Sequence, residues 1–318
     1  MVVQLERFPT NPLLAPTTNW WECRAVFNAG VAQYQGKIHL LYRAVGQDGV
    51  SRFGLAVSHD GVSIAERTLT PMVEPGYNDP YERCGCEDPR ITFLGGVYYV
   101  TYTAVSLYPR SSSKISSEAP WRTRVALLTT TDFKTFLRHG LVFSDDRDDK
   151  DAALFPEKVN GRYYIIHRRD LAMVLASSTD LHHWQEEGRI LEPTHSGWQN
   201  DRVGVGAPPI LTELGWLILY HGRDSQGVYR LGALVVDAHD PRRVVARLPE
   251  PLLDPREDYE RMGVVANVVF TCGLAEVGAD YLIYYGGADK VLAGARIAKA
   301  TLLDALRRSS VTASGSNS

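Results

Sequence analysis

The chain has 318 residues, with 34 basic and 37 acidic side chains and a formal net charge of -3. That balance supplies no strong positive field for a nucleic-acid backbone or an anionic membrane surface. A content of 44% hydrophobic and 22% charged residues is that of a globular chain able to bury a sizeable core. No stretch approaches the roughly 18 apolar residues of a membrane span, and residues 1–16 carry Glu6, Arg7 and several prolines where a secretory signal needs an apolar run. Cys23, Cys84, Cys86 and Cys272 have neither disulfide-framework nor zinc-ligand spacing. The expectation is a cytoplasmic protein with reduced thiols, no metal site, and no nucleic-acid or membrane partner.

In chain order, the first predicted hairpin joins NAGVAQ (28–33) to YQGKIHLLYRA (34–44), and a third apolar run, FGLAVSHDG (53–61), ends in an Asp turn. The second repeats the plan with EDPRITFL (87–94), LGGVYYVTYTA (94–104) and RVALLTTTDF (124–133). The third does so with DAALFPEKV (151–159), VNGRYYIIHRR (159–169) and MVLASSTDL (173–181). In the fourth, GVGAPPILT (204–212), ELGWLILYHGR (213–223) and YRLGALVVDAHDP (229–241) keep the runs and change the turn. The fifth comprises GVVANVVFTCG (263–273), VGADYLIYYGG (277–287) and VLAGARIAKAT (291–301), followed by a short helix over 302–308. Short runs of Val, Ile, Tyr and Leu bounded by Gly, Asp and Pro are strand signals.

Five repeats of three or four antiparallel strands, spaced about 55 to 65 residues apart, predict an all-β fold. Radial packing protects the sheet edges, so the expected architecture is a five-bladed β-propeller. A single domain over 1–308 and a polar, mobile tail over 309–318 complete the expectation, with long insertions at 65–86 and 105–123.

In such a fold the residues heading each repeat converge on a central channel, which predicts Asn28, Glu87, Asp88, Lys150, Asp151, Glu157, Lys158 and Asn267 near one mouth. Glu87 and Asp88, adjacent in a strand, are expected to face opposite sides. Asp88 before Pro89 also reads as a turn residue, with Arg90 in a local salt bridge. Lys158, ending an apolar inner-strand run, suits an anionic ligand. HRRD (167–170), YHGR (220–223) and Arg43 place cations at matching strand ends. Trp121 and Tyr108, flanking the Ser-rich insertion, are expected to form an exposed stacking platform, while most other Trp residues pack between blades.

Together, WWECRAVFNAGV (20–31), LLYRA (40–44), CEDPRIT (86–92), LFPEKVNGRYYIIHR (154–168), YHG (220–222), NVVF (267–270) and YYGGAD (284–289) resemble glycoside hydrolase family 130 over about residues 10–300. The resemblance implies β-mannoside phosphorylases and some β-mannosidases on a five-bladed propeller. Phosphate would attack the anomeric carbon of a terminal β-mannosyl unit with inversion, giving α-mannose 1-phosphate. Asp88 would be the general acid. Arg124, Lys158, Arg168 and His221 would bind phosphate, and Asn28, Arg43 and Asp289 would hold the mannosyl hydroxyls. HRRD departs from the HRP of several members. Inorganic phosphate would be a co-substrate, with no cofactor and a small oligosaccharide as partner; a homo-oligomer is compatible with the sequence. Retention of Lys158 and His221 favours phosphorolysis over an inverting β-mannosidase, which needs a second carboxylate to activate water. Two further readings compete with these: a non-catalytic carbohydrate-binding propeller, which needs no acid at the channel mouth, and an arabinanase-like hydrolase, which needs carboxylates from three separate blades.

Overall fold

The computed structural model describes residues 3–108 and 120–310. Strand β1 (Glu6–Arg7) lies near the N-terminus, ahead of the first repeat. The first repeat folds into β2 (Ala25–Tyr34), β3 (Lys37–Val45), β4 (Ser51–Ser58) and β5 (Ile64–Arg67). The second gives β6 (Gly85–Leu94), β7 (Val97–Leu107), β8 (Trp121–Thr130) and β9 (Leu137–Leu141). The third gives β10 (Lys150–Leu154), β11 (Tyr163–Arg169), β12 (Ala172–Ser178) and β13 (Gln185–Leu191). In the fourth, β14 (Arg202–Val205) and β15 (Ile210–Thr212) both pair with β16 (Gly215–Arg223), followed by β17 (Tyr229–Val236) and β18 (Val244–Arg247). A one-turn helix, α1 (Asp258–Arg261), precedes β19 (Val269–Val277), β20 (Asp280–Gly287), β21 (Val291–Ala298) and the terminal helix α2 (Lys299–Arg308). The predicted terminal helix is present; α1 was not legible in the sequence.

Each repeat is an antiparallel meander, and the first two are joined by the parallel pair Ser51↔Gly85. A short fourth strand extends the three predicted runs in the first four repeats. In the fifth, that place is taken by β1, paired with β21 through Glu6↔Arg296. Two-residue loops close the hairpins: Gln35-Gly36, Gly95-Gly96 and Asn160-Gly161 all have positive φ at both positions, as a type I′ turn requires. The predicted Asp turns form as well. Asp60, Asp132 and Asp180 each accept two main-chain N–H bonds from residues two and three ahead. The fourth repeat keeps this turn after all, because Asp237 accepts from the N–H groups of His239 and Asp240.

Apolar side chains of consecutive repeats meet in separate cores. One holds Leu41 and Phe53 against Val100 and Tyr102, and the next Val125 against Leu154 and Ile165. Others join Ile166 to Ile218, Leu231 to Ile283, and finally Tyr284 and Leu292 of the last repeat to Val26 and Tyr42 of the first. Burying such residues drives association at roughly 25 cal/mol per Å2 of apolar surface, so every sheet is covered on both sides. Trp21 and Trp216 are buried as expected, whereas Trp20 is 52% exposed. Most of the Ser-rich insertion, 109–119, and most of the expected tail, 311–318, lie outside the described residues.

Candidate active site

The sequence places polar residues near the start of the first strand of several repeats, and the backbone there departs from regular strand geometry. Asn28, Asp88, Asp151 and Asn267 all have φ between 47 and 59°, a left-handed conformation that Asn and Asp tolerate better than other non-glycine residues. Register shifts accompany the first three, between Phe27 and Ala29, Glu87 and Arg90, and Lys150 and Ala153. Such a bulge re-aims a side chain. Its consequence overturns the strand expectation for CEDPR: Glu87 and Asp88 do not diverge but grip one guanidinium. Arg43 donates to Glu87 Oε1 at 2.5 Å and to Asp88 Oδ1 at 3.1 Å, and Asn28 Nδ2 donates to the same Asp88 oxygen at 2.8 Å.

Arg90 makes no merely local salt bridge. Its guanidinium donates to the carbonyls of Gly206 (2.7 Å), Val205 (2.9 Å) and Asp88 (2.9 Å), and reaches Asp151 Oδ1 at 3.4 Å. It thereby ties together the first strands of the second, third and fourth repeats. On its other oxygen, Asp151 faces Arg168 Nη1 at 3.1 Å and His221 Nε2 at 3.4 Å. Burial alone would raise the Asp151 pKa; Arg168, His221 and Arg90 outweigh it and hold the carboxyl well below the usual range. Burial pushes His221 down to about 4, against the pull of Asp151, so its imidazole is neutral at pH 7.

Above this layer opens a cavity of about 610 Å3, lined among others by Phe27, Arg43, Glu87, Trp121, Lys150 and Asp289. That size suits a small ligand. Asp88 and Arg168, 8% and 7% exposed, lie behind the lining, against Arg43 and beside Lys150 respectively. Burial raises Asp289 to about 6 and also raises Glu87, in both cases against the pull of Arg43. For Arg43 the carboxylates of Glu87, Asp88 and Asp289 overcome the cost of burial and raise its pKa. Lys150 is the register partner of Arg168, and that neighbouring charge, with burial, lowers its pKa. One side of the cavity therefore presents carboxyl groups around Arg43, and the other presents Lys150 with the Arg168 cation directly behind it, an arrangement able to hold a neutral polyol beside an anion.

Of the residues singled out in the sequence, Asn28, Arg43, Asp88, Arg168 and Asp289 come together here. Lys158 does not. It sits on the exposed turn after β10, its Nζ 4.3 Å from the centroid of Tyr163. Tyr163 begins β11 and Arg168 lies near its other end, so the hairpin carries Lys158 away from the cavity while Lys150, at the head of β10, lines it. Glu157 is exposed on the same turn. Arg124 is also turned aside: its guanidinium donates to the carbonyls of Phe143 (2.8 Å) and Asp145 and lies 5.7 Å from the Tyr81 ring. His221 reaches the base of the site but is fully buried, its ring 4.2 Å from that of Phe270, so it supports Asp151 rather than facing an anion. Trp121 is 52% exposed on the cavity wall, whereas Tyr108 is buried and donates to Asp148 Oδ2 at 2.5 Å. The sequence places Glu87, Lys150 and Asp151 near the mouth without giving them roles. The signal that marks them is their place near the start of the first strand of a repeat.

Among the described residues no His, Cys, Asp and Glu side chains cluster as a metal site, and no helix is long and apolar enough to cross a membrane.

Residues 4–308 match the family described as β-1,4-mannooligosaccharide phosphorylase, glycoside hydrolase family 130. The chain is 39% identical to a 1,2-β-oligomannan phosphorylase of Thermoanaerobacter sp. (strain X514), covering 92% of this chain and 96% of that protein. It is 38% identical to a β-1,2-mannobiose phosphorylase of the same organism, covering 93% and 98%. Its structure resembles that of β-1,2-mannobiose phosphorylase from Listeria innocua in complex with β-1,2-mannobiose, with a TM-score of 0.83 at 29% identity over 96% of this chain and 99% of the other.

Proposed function

Because the chain belongs to glycoside hydrolase family 130, we propose that this mannoside phosphorylase cleaves a terminal β-1,2-linked mannosyl unit from a manno-oligosaccharide with inversion, using inorganic phosphate and releasing α-mannose 1-phosphate. The β-1,2 linkage is supported by the relatives of 39% and 38% identity. The observation that carries the reading is the buried carboxyl of Asp88 in the same site as the adjacent cations Lys150 and Arg168.

In the reaction the bond between the anomeric carbon and the glycosidic oxygen breaks, a phosphate oxygen bonds to that carbon from the opposite face, and the Asp88 proton goes to the departing sugar. Asn28, Arg43 and Asp289 hold the mannosyl hydroxyls, a reading supported by their convergence around Asp88 and Arg43. Lys150 and Arg168 hold phosphate. Phosphate is already a nucleophile and needs cations rather than a base, so no cofactor enters the scheme. The meanders form a five-bladed propeller occupying one domain, a reading supported by the succession of cores that returns from the last repeat to the first. All four cysteines are unpaired, which suits the reducing cytoplasm.

Incubation with β-1,2-mannobiose, with and without phosphate, tests the reaction: mannose 1-phosphate should form in step with phosphate consumed. Equal mannose release without phosphate would establish a hydrolase instead. A second measurement separates the two lysines. Lys150→Met should raise the phosphate KM roughly 10- to 100-fold, the loss of one charge-assisted hydrogen bond, while Lys158→Ala leaves it unchanged. Since Arg168 and burial depress the Lys150 pKa against the pull of Asp151, Glu87 and Asp88, its charge is lost at a lower pH than an ordinary lysine's. Phosphate binding should weaken as pH rises through that value, and Lys150→Met should lack this alkaline limb.

A further inference from the structure

The head of β10 is held from its other side by a cluster of charges that does not line the cavity. Asp149, 2% exposed, lies with its Oδ2 2.8 Å from His167 Nδ1 and 2.8 Å from Arg169 Nη2. A carboxylate only accepts, so both partners donate. Arg169 extends the cluster outward, donating to Asp145 Oδ2 (2.9 Å) and Oδ1 (3.0 Å) and to Glu186. The Phe143 ring covers it, 4.4 Å from the His167 ring and 5.3 Å from the Arg169 guanidinium.

The sequence pattern gives this cluster its meaning. Lys150 is flanked by Asp149 and Asp151, and Arg168 by His167 and Arg169. His167 and Arg169, on the same face of β11, grip Asp149, while Arg168 faces Asp151 at 3.1 Å. The two strands are thus stitched on both sides of the pair Lys150↔Arg168. That pair needs stitching, because like charges brought together in a poorly solvated site repel, and an anion can bridge them only if their spacing is kept in its absence. A network of oriented partners behind a binding group serves this purpose.

We propose that Arg169, through Asp149, is a positioning residue for phosphate: it fixes the head of β10 so that Lys150 stands opposite Arg168, and it touches neither substrate. The proposal rests on the assignment of Lys150 and Arg168 to phosphate, and the test keeps the two apart.

Initial rates with β-1,2-mannobiose and phosphate would be measured for the full chain and for Arg169→Met, Arg169→Lys, Glu186→Gln and Lys150→Met. Arg169→Met should raise the phosphate KM roughly tenfold with the mannobiose KM unchanged within about twofold. Arg169→Lys should recover part of the loss, since an ammonium can keep one charge-assisted bond to Asp149 although it does not reproduce the planar fork that also serves Asp145 and Glu186. Glu186→Gln weakens the outer end of the same cluster at the surface, so a milder rise in phosphate KM alone is expected even if Arg169→Met fails to fold. An unchanged phosphate KM in Arg169→Met and Glu186→Gln, parallel rises in both KM values, or no recovery with lysine would each overturn the positioning role. If Lys150→Met leaves the phosphate KM as it was, the phosphate site itself is misassigned; if it raises that KM while Arg169→Met does not, only the positioning role falls.

Discussion

Asp88→Asn is expected to lower turnover roughly 10²- to 10⁴-fold, the usual contribution of a general acid, with mannoside binding and folding retained. The structure makes this a clean substitution. Asn tolerates the left-handed backbone that Asp88 adopts at φ 52°, and its carbonyl oxygen can still accept from Asn28 and Arg43 as Asp88 Oδ1 does. Arg43 also keeps its bond to Glu87. What disappears is the transferable proton. Rate measurements at saturating phosphate, paired with calorimetric titration of mannobiose, check both halves; turnover within a few-fold of the parent would remove Asp88 from the mechanism.

The largest stability effect should come from Arg90→Met. Its guanidinium, 1% exposed, serves the carbonyls of Gly206, Val205 and Asp88 and the carboxylate of Asp151. Methionine fills much of the volume but leaves these acceptors unsatisfied in the interior. Breaking a buried pair from one side costs about 3–5 kcal/mol, and for a chain of this size the fall in Tm is on the order of 10 °C. Arg90→Lys should recover little, because one ammonium does not reproduce the planar fork. Thermal unfolding followed by circular dichroism reads the result, and a Tm within about 2 °C of the parent would mean that these three strands are held together without Arg90.

The cation pair also changes the grounds for assigning phosphorolysis. In the sequence, Lys158 and His221 argued for it. In the folded chain Lys158 is on a distant turn and His221 is neutral beneath Asp151, and the same inference rests instead on Lys150 and Arg168.

The sequence by itself determined the five strand repeats, their closing turns, the terminal helix and the polar residues near the start of each repeat's first strand. These are local matters: Gln35-Gly36 and Asn160-Gly161 favour tight turns by their own backbone preferences, and apolar runs bounded by Asp and Gly mark strands wherever they lie. Only the tertiary structure decided that Glu87 and Asp88 share one guanidinium, that Lys150 rather than Lys158 reaches the cavity, that Arg124 turns aside, and that β1 completes a sheet whose other strands lie more than 260 residues away. Each depends on a partner remote in the chain. A bulge exists only against a neighbouring strand, and it sets which way an otherwise alternating side chain points.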